Sequence, residues 1–357
     1  MKKILIDILH PAHVHFFRNA IRELRDRGNS VLITSRDKDI THRLLDLYGI
    51  DFIPLSTEAG SRILLARELF LRNAKLFGIV RRERPDALAS IGGTSTAQVG
   101  FIARTRNLIF YDTENATISN LISYPFASEI ITPDCYKGRV PKGKHLKYPG
   151  YHELAYLHPD RFTPDPEVLR ANGVNPDEPF SVVRFVSWKA LHDAKAGGFS
   201  VEQKLNLVMA LEKFGKVYIT SEKPMPDSLE RFRLPIPPRE IHHLLAFARL
   251  FIGESATMAS ESAILGTPFV YLDPVGRGYT DEQEKRYGLG FNFRPRQVGG
   301  SIEKAVDILS AGLKDTASFR ESRARMLAEK IDVTKLIVER LSGSGDPSGS
   351  IQREQIG

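Results

Sequence analysis

The chain has 357 residues, 42% hydrophobic, 26% charged and 9% aromatic, which excludes wholesale disorder. At about 100–200 residues per domain it holds two domains. A single cysteine, Cys135, excludes an internal disulfide and a paired-cysteine zinc site. The net charge of +7 is concentrated in residues 60–85, where seven basic residues face Glu68 and Glu83; a local patch points to a local partner rather than to nucleic acid.

The opening MKKILIDILHP carries too short an apolar run for a secretory signal, and no stretch reaches the ~20 apolar residues that span a bilayer, so a cytoplasmic protein is expected. Ile4–Leu9 is a nearly continuous apolar run, the pattern of a parallel strand buried on both faces. After His10-Pro11-Ala12, the spacing of Val14, Phe17, Ile21 and Leu24 predicts a helix that Gly28 ends, and Ser30–Thr34 is the next strand. The alternation continues with helix 39–48, strand 51–55, helix 62–83, strand 87–91, helix 95–104, strand 107–111, helix 115–123 and strand 129–132. A Pro/Gly-rich passage follows to about Pro179, with a last strand of the first half near Leu146–Tyr151. The pattern then restarts: strand 180–186, helix 200–213, strand 216–220, helix 238–247, strand 249–252, helix 256–265, strand 268–272, and helices 301–312 and 318–341.

These alternations predict an α/β protein of two doubly wound, Rossmann-like domains facing a cleft: 1–158 for an acceptor and 159–317 for a nucleotide sugar. A helix at 318–341 packs back on the first domain in this reading, and the Gly/Ser-rich 342–357 is a disordered tail.

In such sheets ligands bind beyond the carboxyl ends of the strands. The strand ending at Gly253 runs into Glu254-Ser255-Ala256-Thr257, small and hydroxyl residues opening a helix. Free N–H groups and the helix dipole suit a diphosphate there, with Glu261 one turn on for ribose; the plain alternative is that Ser255 only caps the helix. Asp281 and Gln283, in a polar loop, suit sugar hydroxyls, or else begin a solvated helix. Arg184, Ser187 and Lys189 follow the first strand of the second half and offer two cations and a hydroxyl to the diphosphate; Trp188 between them packs.

In the first half His10, His13 and His15 do not make a metal site, because His13 and His15 point to opposite sides of a helix. His13, at the helix start, suits acid/base work, as does Glu114 after the strand at 107–111. His10, Gly92, Gly93, Thr94 and Asn115 complete the acceptor side. A nucleophile elbow, a P-loop lysine and a GxGxxG fingerprint are absent, which argues against a hydrolase triad, an NTPase and a typical dehydrogenase. No metal and no cofactor is expected.

The stretches HPAHVHFFRN, SRDKD, FYDTENA, YPGYHELAYLHP and GESATMASESAILGTP resemble an uncharacterised bacterial and archaeal family of the GT-B superfamily, over nearly the whole chain to about residue 341. That superfamily includes UDP-sugar glycosyltransferases and non-hydrolysing UDP-GlcNAc 2-epimerases. The N-acetylglucosaminyltransferase that makes the lipid-linked peptidoglycan precursor is similar at His13-Val14, Gly92-Gly93, Ala259-Ser260-Glu261 with Gly266-Thr267-Pro268, and Asp281-Glu282-Gln283. The resemblance implies that Glu261 holds ribose, Gln283 the donor sugar, and that His13 lies near the reacting centre. The epimerases resemble this chain at Thr113-Glu114-Asn115-Ala116, but their catalytic Asp falls near Gly93, and Arg184-Phe185-Val186 stands where they carry a catalytic histidine.

The expectation is therefore a metal-independent glycosyltransferase that takes a nucleotide-diphosphate sugar, UDP-linked by resemblance, to a glycan or lipid-linked acceptor, as in polysaccharide biosynthesis. A sugar-nucleotide epimerase and a non-catalytic sugar-nucleotide binder are the alternatives. The apolar residues interleaved with the arginines of 60–85 suit peripheral contact with the inner face of the membrane, against the alternative of a core helix with a solvated basic face.

Overall fold

The computed structural model describes residues 1–58, 62–186, 199–221, 225–343 and 352–353, the last two and 62–63 by backbone alone. The chain divides into two compact units, one of Met1–Arg161 with Lys330–Gly357 and one of Phe162–Glu329.

In the first unit β1 (Lys3–Ile8), α1 (Pro11–Asp26), β2 (Ser30–Asp37), α2 (Thr41–Leu47), β3 (Ile53–Thr57), α3 (Arg62–Glu83), β4 (Ala87–Ile91), α4 (Thr94–Ala103), β5 (Arg106–Phe110), α5 (Thr117–Ser123), β6 (Glu129–Pro133), β7 (His145–Tyr148) and α6 (Leu154–Leu157) follow in turn. The seven strands are parallel in the order β3-β2-β1-β4-β5-β6-β7, and the backbone of Gln352–Arg353 adds antiparallel to β7. Residues 344–351 and 354–357 of the expected disordered tail lie outside the described residues. Ile4, Leu5, Ile6 and Ile8 are fully buried because helices cover both faces of the sheet. Right-handed crossovers put α1 and α2 on one face; α3 carries the chain back to β4 and shares the other face with α4 and α5.

One residue of β1 breaks its apolar run. Asp7 is fully buried and takes hydrogen bonds from Thr34 Oγ1 (2.7 Å) and from the Arg72 guanidinium of α3. Arg72 also donates to Ser56 Oγ at 3.0 Å, and Ser56 donates to Glu68, whose carboxylate receives the Nε and NH2 fork of Arg36 at 2.7 and 2.8 Å. The basic helix is thus docked by a polar network as well as by Leu76, Ile79 and Val80, which are buried in the apolar cluster beneath it.

In the second unit α7 (Pro166–Ala171), β8 (Phe180–Phe185), α8 (Val201–Glu212), β9 (Lys216–Ser221), α9 (Asp227–Glu230), α10 (Ile241–Phe247), β10 (Leu250–Gly253), α11 (Ala256–Leu265), β11 (Phe269–Leu272), α12 (Gly278–Lys285), β12 (Gly290–Phe293), α13 (Val298–Ser310) and α14 (Ala317–Glu329) follow. Its five parallel strands run β9-β8-β10-β11-β12, over a core in which Val183, Phe185, Leu207, Leu211 and Ile252 are fully buried. The chain then returns to the first unit, where α15 (Val333–Ser342) packs on α1 and α6.

Three differences from the sequence reading have local causes. Asp281 and Gln283 sit on α12, the helical alternative to a polar loop, but Gln283 is fully buried and not solvated; GYTDEQEK has no apolar periodicity to announce a buried face. The four-residue β12 was too short to read. The single helix expected at 318–341 is two, parted at Lys330–Asp332, where Asp332 caps α15 by accepting from Thr334 N–H and Lys335 N–H.

Replacing Arg72 with Met keeps the side chain's length but strands the Asp7 charge in the sheet. The variant is expected to lose about 3–5 kcal/mol of stability in urea unfolding of the full chain. A loss below about 1 kcal/mol would show that the Asp7 charge does not depend on this partner.

Candidate functional site

In the second unit the strand order reverses between β8 and β10, which opens a crevice at the carboxyl edge of the sheet. β10 reaches that edge at Gly253, and only glycine fits: a Cβ there would stand 2.4 Å from the Arg184 carbonyl oxygen on β8. The chain then turns into α11. Ser255 caps the helix, its Oγ accepting from Met258 N–H at 3.3 Å. The N–H groups of Ser255, Ala256 and Thr257 donate to no acceptor among the described residues, and these three residues are half-buried. Three open donors thus stand at the positive end of a ten-residue helix.

The side chains near this turn are engaged within the unit. Glu254 accepts from Val186 N–H (2.8 Å) and Phe199 N–H (2.9 Å), so one carboxylate ties these two backbone positions together. Ser187 and Lys189, expected here as a hydroxyl and a cation, lie outside the described residues. Arg184 donates to Thr220 Oγ1 of β9 at 3.0 Å. Glu261 is buried between α10 and α11, its Oε1 2.9 Å from Nε2 of the buried His242. Gln283 is buried on the other flank of α11, donating to Ser260 Oγ at 2.8 Å, and its Oε1 has no partner among the described residues. Asp281 is half-buried in the first turn of α12. The structure thus joins Ser255, Ala256 and Thr257 in one feature and sets Glu261 and Gln283 on opposite flanks of the same helix.

Sequence reasoning missed Glu254 and Lys204. Glu254 lies inside the motif already singled out, and its role needed the position of residue 199. Lys204 reads as a solvated helix residue, yet it is buried with its Nζ 5.1 Å from the Phe185 ring centre; burial holds its pKa below the ordinary lysine value, against an opposing pull from Glu254.

In the first unit the reversal lies between β1 and β4. His10 caps α1, its Nδ1 accepting from Ala12 N–H at 3.2 Å. His13 Nδ1 accepts from Leu9 N–H at 3.2 Å, so the neutral ring carries its proton on Nε2. The ring is partly accessible yet closely surrounded by protein. Burial lowers its pKa well below the usual histidine value, His10 and His152 add to this, and Asp112 opposes. His15 turns elsewhere, against Tyr48 and Tyr156.

Beyond β4, Gly92 takes φ +57° and Gly93 is the N-cap of α4, followed by Thr94. No side chain fits at Gly93, where a Cβ would stand 2.0 Å from Ser90 Oγ. Beyond β5 comes Asp112. Burial raises its pKa, but His152, Thr113 and His13 together outweigh this and bring it to about 2. His152 Nδ1 lies 3.1 Å from Asp112 Oδ2; the ring is buried, and its Nε2 has no partner among the described residues. A neutral His152 would turn its Nδ1–H to the ionised Asp112 and keep its lone pair on Nε2, the arrangement a general base requires. Neither residue was a sequence candidate: β5, β6 and β7 had to be laid side by side to bring them together. Glu114 accepts from Lys137 N–H at 3.4 Å, and Asn115 is exposed. His158, Asp160 and Asp332 bring possible metal-ligand atoms within 4.8 Å of one another, but Asp332 is already bound to Arg161 and caps α15.

The depressed pKa of His13 has a defined sign for stability. Below the ordinary value near 6.5 the unfolded chain takes up a proton that folded His13 refuses, so this residue's contribution is lost as the pH falls. Thermal unfolding of wild type and His13→Gln, compared between about pH 8 and about pH 5, is expected to show the wild type losing midpoint relative to the variant. A difference independent of pH would refute a neutral, buried His13.

The chain is similar to known proteins at two levels. An uncharacterized protein of Methanocaldococcus jannaschii is 24% identical over 288 residues, covering 76% of this chain and 82% of the relative. Among solved structures, UDP-GlcNAc 2-epimerase of Methanocaldococcus jannaschii in complex with UDP-GlcNAc and UDP aligns over 96% of this chain and 100% of its own, with TM-score 0.65 at 12% identity. The spinosyn rhamnosyltransferase SpnG, complexed with spinosyn aglycone, aligns over 94% and 99%, with TM-score 0.61 at 14% identity. At these identities the likeness carries the fold, which is GT-B-like, and the enzymes that share it include epimerases and glycosyltransferases. A family model matches residues 2–186, more than half of the chain, and the protein belongs to the family described as "Protein of unknown function (DUF354)".

Proposed function

We propose that the protein is a glycosyltransferase that takes a nucleotide-diphosphate sugar, with UDP as the nucleotide, and transfers the sugar to a hydroxyl of a glycan or lipid-linked acceptor. The observation that carries this reading is the cradle at α11, whose three open N–H groups lie at the switch point of the second sheet. They would hold the diphosphate, and the helix dipole would offset the charge that grows on it as it leaves, a task that then needs no metal. Lys204, Arg184, Ser187 and Lys189 are the further cations and hydroxyl for that group, Glu261 serves ribose, and Gln283 and Asp281 serve the sugar.

In the transfer step an acceptor oxygen loses its proton and bonds to the anomeric carbon, while the bond from that carbon to the diphosphate oxygen breaks and the nucleoside diphosphate departs. The Asp112–His152 pair is the acid/base element in this reading: Nε2 of His152 takes the proton, and Asp112 stabilises the imidazolium that results. His13 donates from Nε2 to orient a substrate oxygen. Glu114 is the second carboxylate at the acceptor side, beside Asn115, Gly92, Gly93, Thr94 and His10.

A sugar-nucleotide epimerase is the second reading, favoured by the likeness to UDP-GlcNAc 2-epimerases. Against it, Gly93 stands where the family resemblance expects a catalytic carboxylate, and the space beside Ser90 admits no side chain.

Ala256→Pro tests the cradle directly. It removes one N–H at the first helical position, where proline is tolerated, and Ser255 before it already has extended backbone. UDP and UDP-GlcNAc are expected to raise the unfolding midpoint of the wild type, and Ala256→Pro to weaken binding about 10–100-fold with the fold intact. His152→Ala is expected to lower transfer about a hundredfold with nucleotide binding unchanged. Deuterium entering the UDP-sugar from heavy water without an acceptor would establish epimerisation instead, and nucleotide binding with neither reaction would mark a non-catalytic binder.

A further inference from the structure

The sheet face covered by α3, α4 and α5 carries more exposed apolar surface than the rest of the described chain. Of the twelve large apolar residues that are exposed among the described residues, eight lie on these three helices. Phe70, Phe101, Ile102, Ile118 and Leu121 are each 60–77% accessible. They form one region, because a row of hydrogen bonds sets the helices level: Asn73 Nδ2 of α3 donates to Gln98 Oε1 of α4 at 2.7 Å, and Gln98 Nε2 donates to the Ile122 carbonyl of α5 at 3.0 Å. Phe70 lies one turn before Asn73, Phe101 one turn after Gln98, and Leu121 beside Ile122. Leu76, Ile79 and Val80 already provide the buried face of α3, so its outer apolar residues are surplus to folding.

The exposed charge on these helices and at their ends is predominantly positive. Arg67, Arg81, Arg82, Arg84 and Arg104 are exposed on α3 and at the ends of α3 and α4. The acidic residues of the three helices are Glu68 and Glu83, and both are engaged within the chain, by Arg36 and by Lys3 and Arg82. A second copy placed symmetrically on this face would set arginine against arginine. An apolar surface rimmed by cations fits a plane that is apolar within and anionic at its edge. No described helix is long and apolar enough to cross a membrane, so contact would be with one leaflet.

We propose that the outer face of α3, α4 and α5 is a membrane-seating surface that takes up anionic lipid headgroups around inserted apolar side chains. This surface stands independently of the sugar-nucleotide reading. The test is sedimentation of the full chain with vesicles of phosphatidylcholine alone and of phosphatidylcholine with phosphatidylglycerol, at low and high salt, with light scattering in parallel. Binding is expected to the anionic vesicles only and to weaken with salt. Two triple variants, Phe70→Ser/Ile118→Ser/Leu121→Ser and Arg67→Glu/Arg81→Glu/Arg104→Glu, are each expected to reduce it about tenfold or more. Their unfolding midpoints with and without UDP show separately that the chain is folded and whether it binds nucleotide. Equal binding to neutral vesicles, no binding at all, or a dimer that the apolar variant dissolves would each overturn the proposal.

Discussion

Parallel pairing on both sides of one central strand governs each half of this protein. β1 pairs with β2 and β4, and β8 with β9 and β10, so the crossovers must leave in opposite directions from that strand. The divergence leaves the carboxyl ends of the central strands uncovered. Each half places a helix N-terminus there, α4 after Gly93 and α11 after Ser255, whose first N–H groups cannot bond within their own helices. The candidate chemistry follows from this constraint on connectivity before any side chain is considered.

Charges buried beneath those edges do two kinds of work. Asp7, fully buried, is held by Thr34 and Arg72 at one oxygen and by Thr96 at the other, and serves to dock α3. Asp112, one strand beyond β4, binds only a histidine and a threonine, so its charge is spent on setting the proton position of His152. In the second unit Glu254 spends its carboxylate on two backbone donors, from Val186 and Phe199. Of these three buried or half-buried acids, Asp112 is the one that meets an imidazole side chain, and that separates candidate acid/base chemistry from architecture.

Much of the candidate site was legible in the residues themselves. GESAT following an apolar strand announces a capped helix opening at a sheet edge, and HPAH announces another at His10 and Pro11. Other parts were not legible. Nothing in the spacing of Asp112 and His152 relates them, and nothing in α8 distinguishes Lys204 from its solvated neighbours. The helical reading of α3 gave its period but not which apolar residues the core would leave outside, since Leu76 and Phe70 are equally apolar and only one meets the sheet.

Most of the alternation of strands and helices, the two doubly wound halves and the helix opening at Ser255 were determined by the amino-acid sequence alone, because burial periodicity, caps and glycine turns act within a few residues. The tertiary structure decided the pairing of Asp112 with His152, the turning of Glu261 toward His242, and the exposed apolar face of α3–α5. Each of these depends on which elements lie side by side, and a hydrogen bond of about 3 Å forms only once strands distant in the chain have been brought into register.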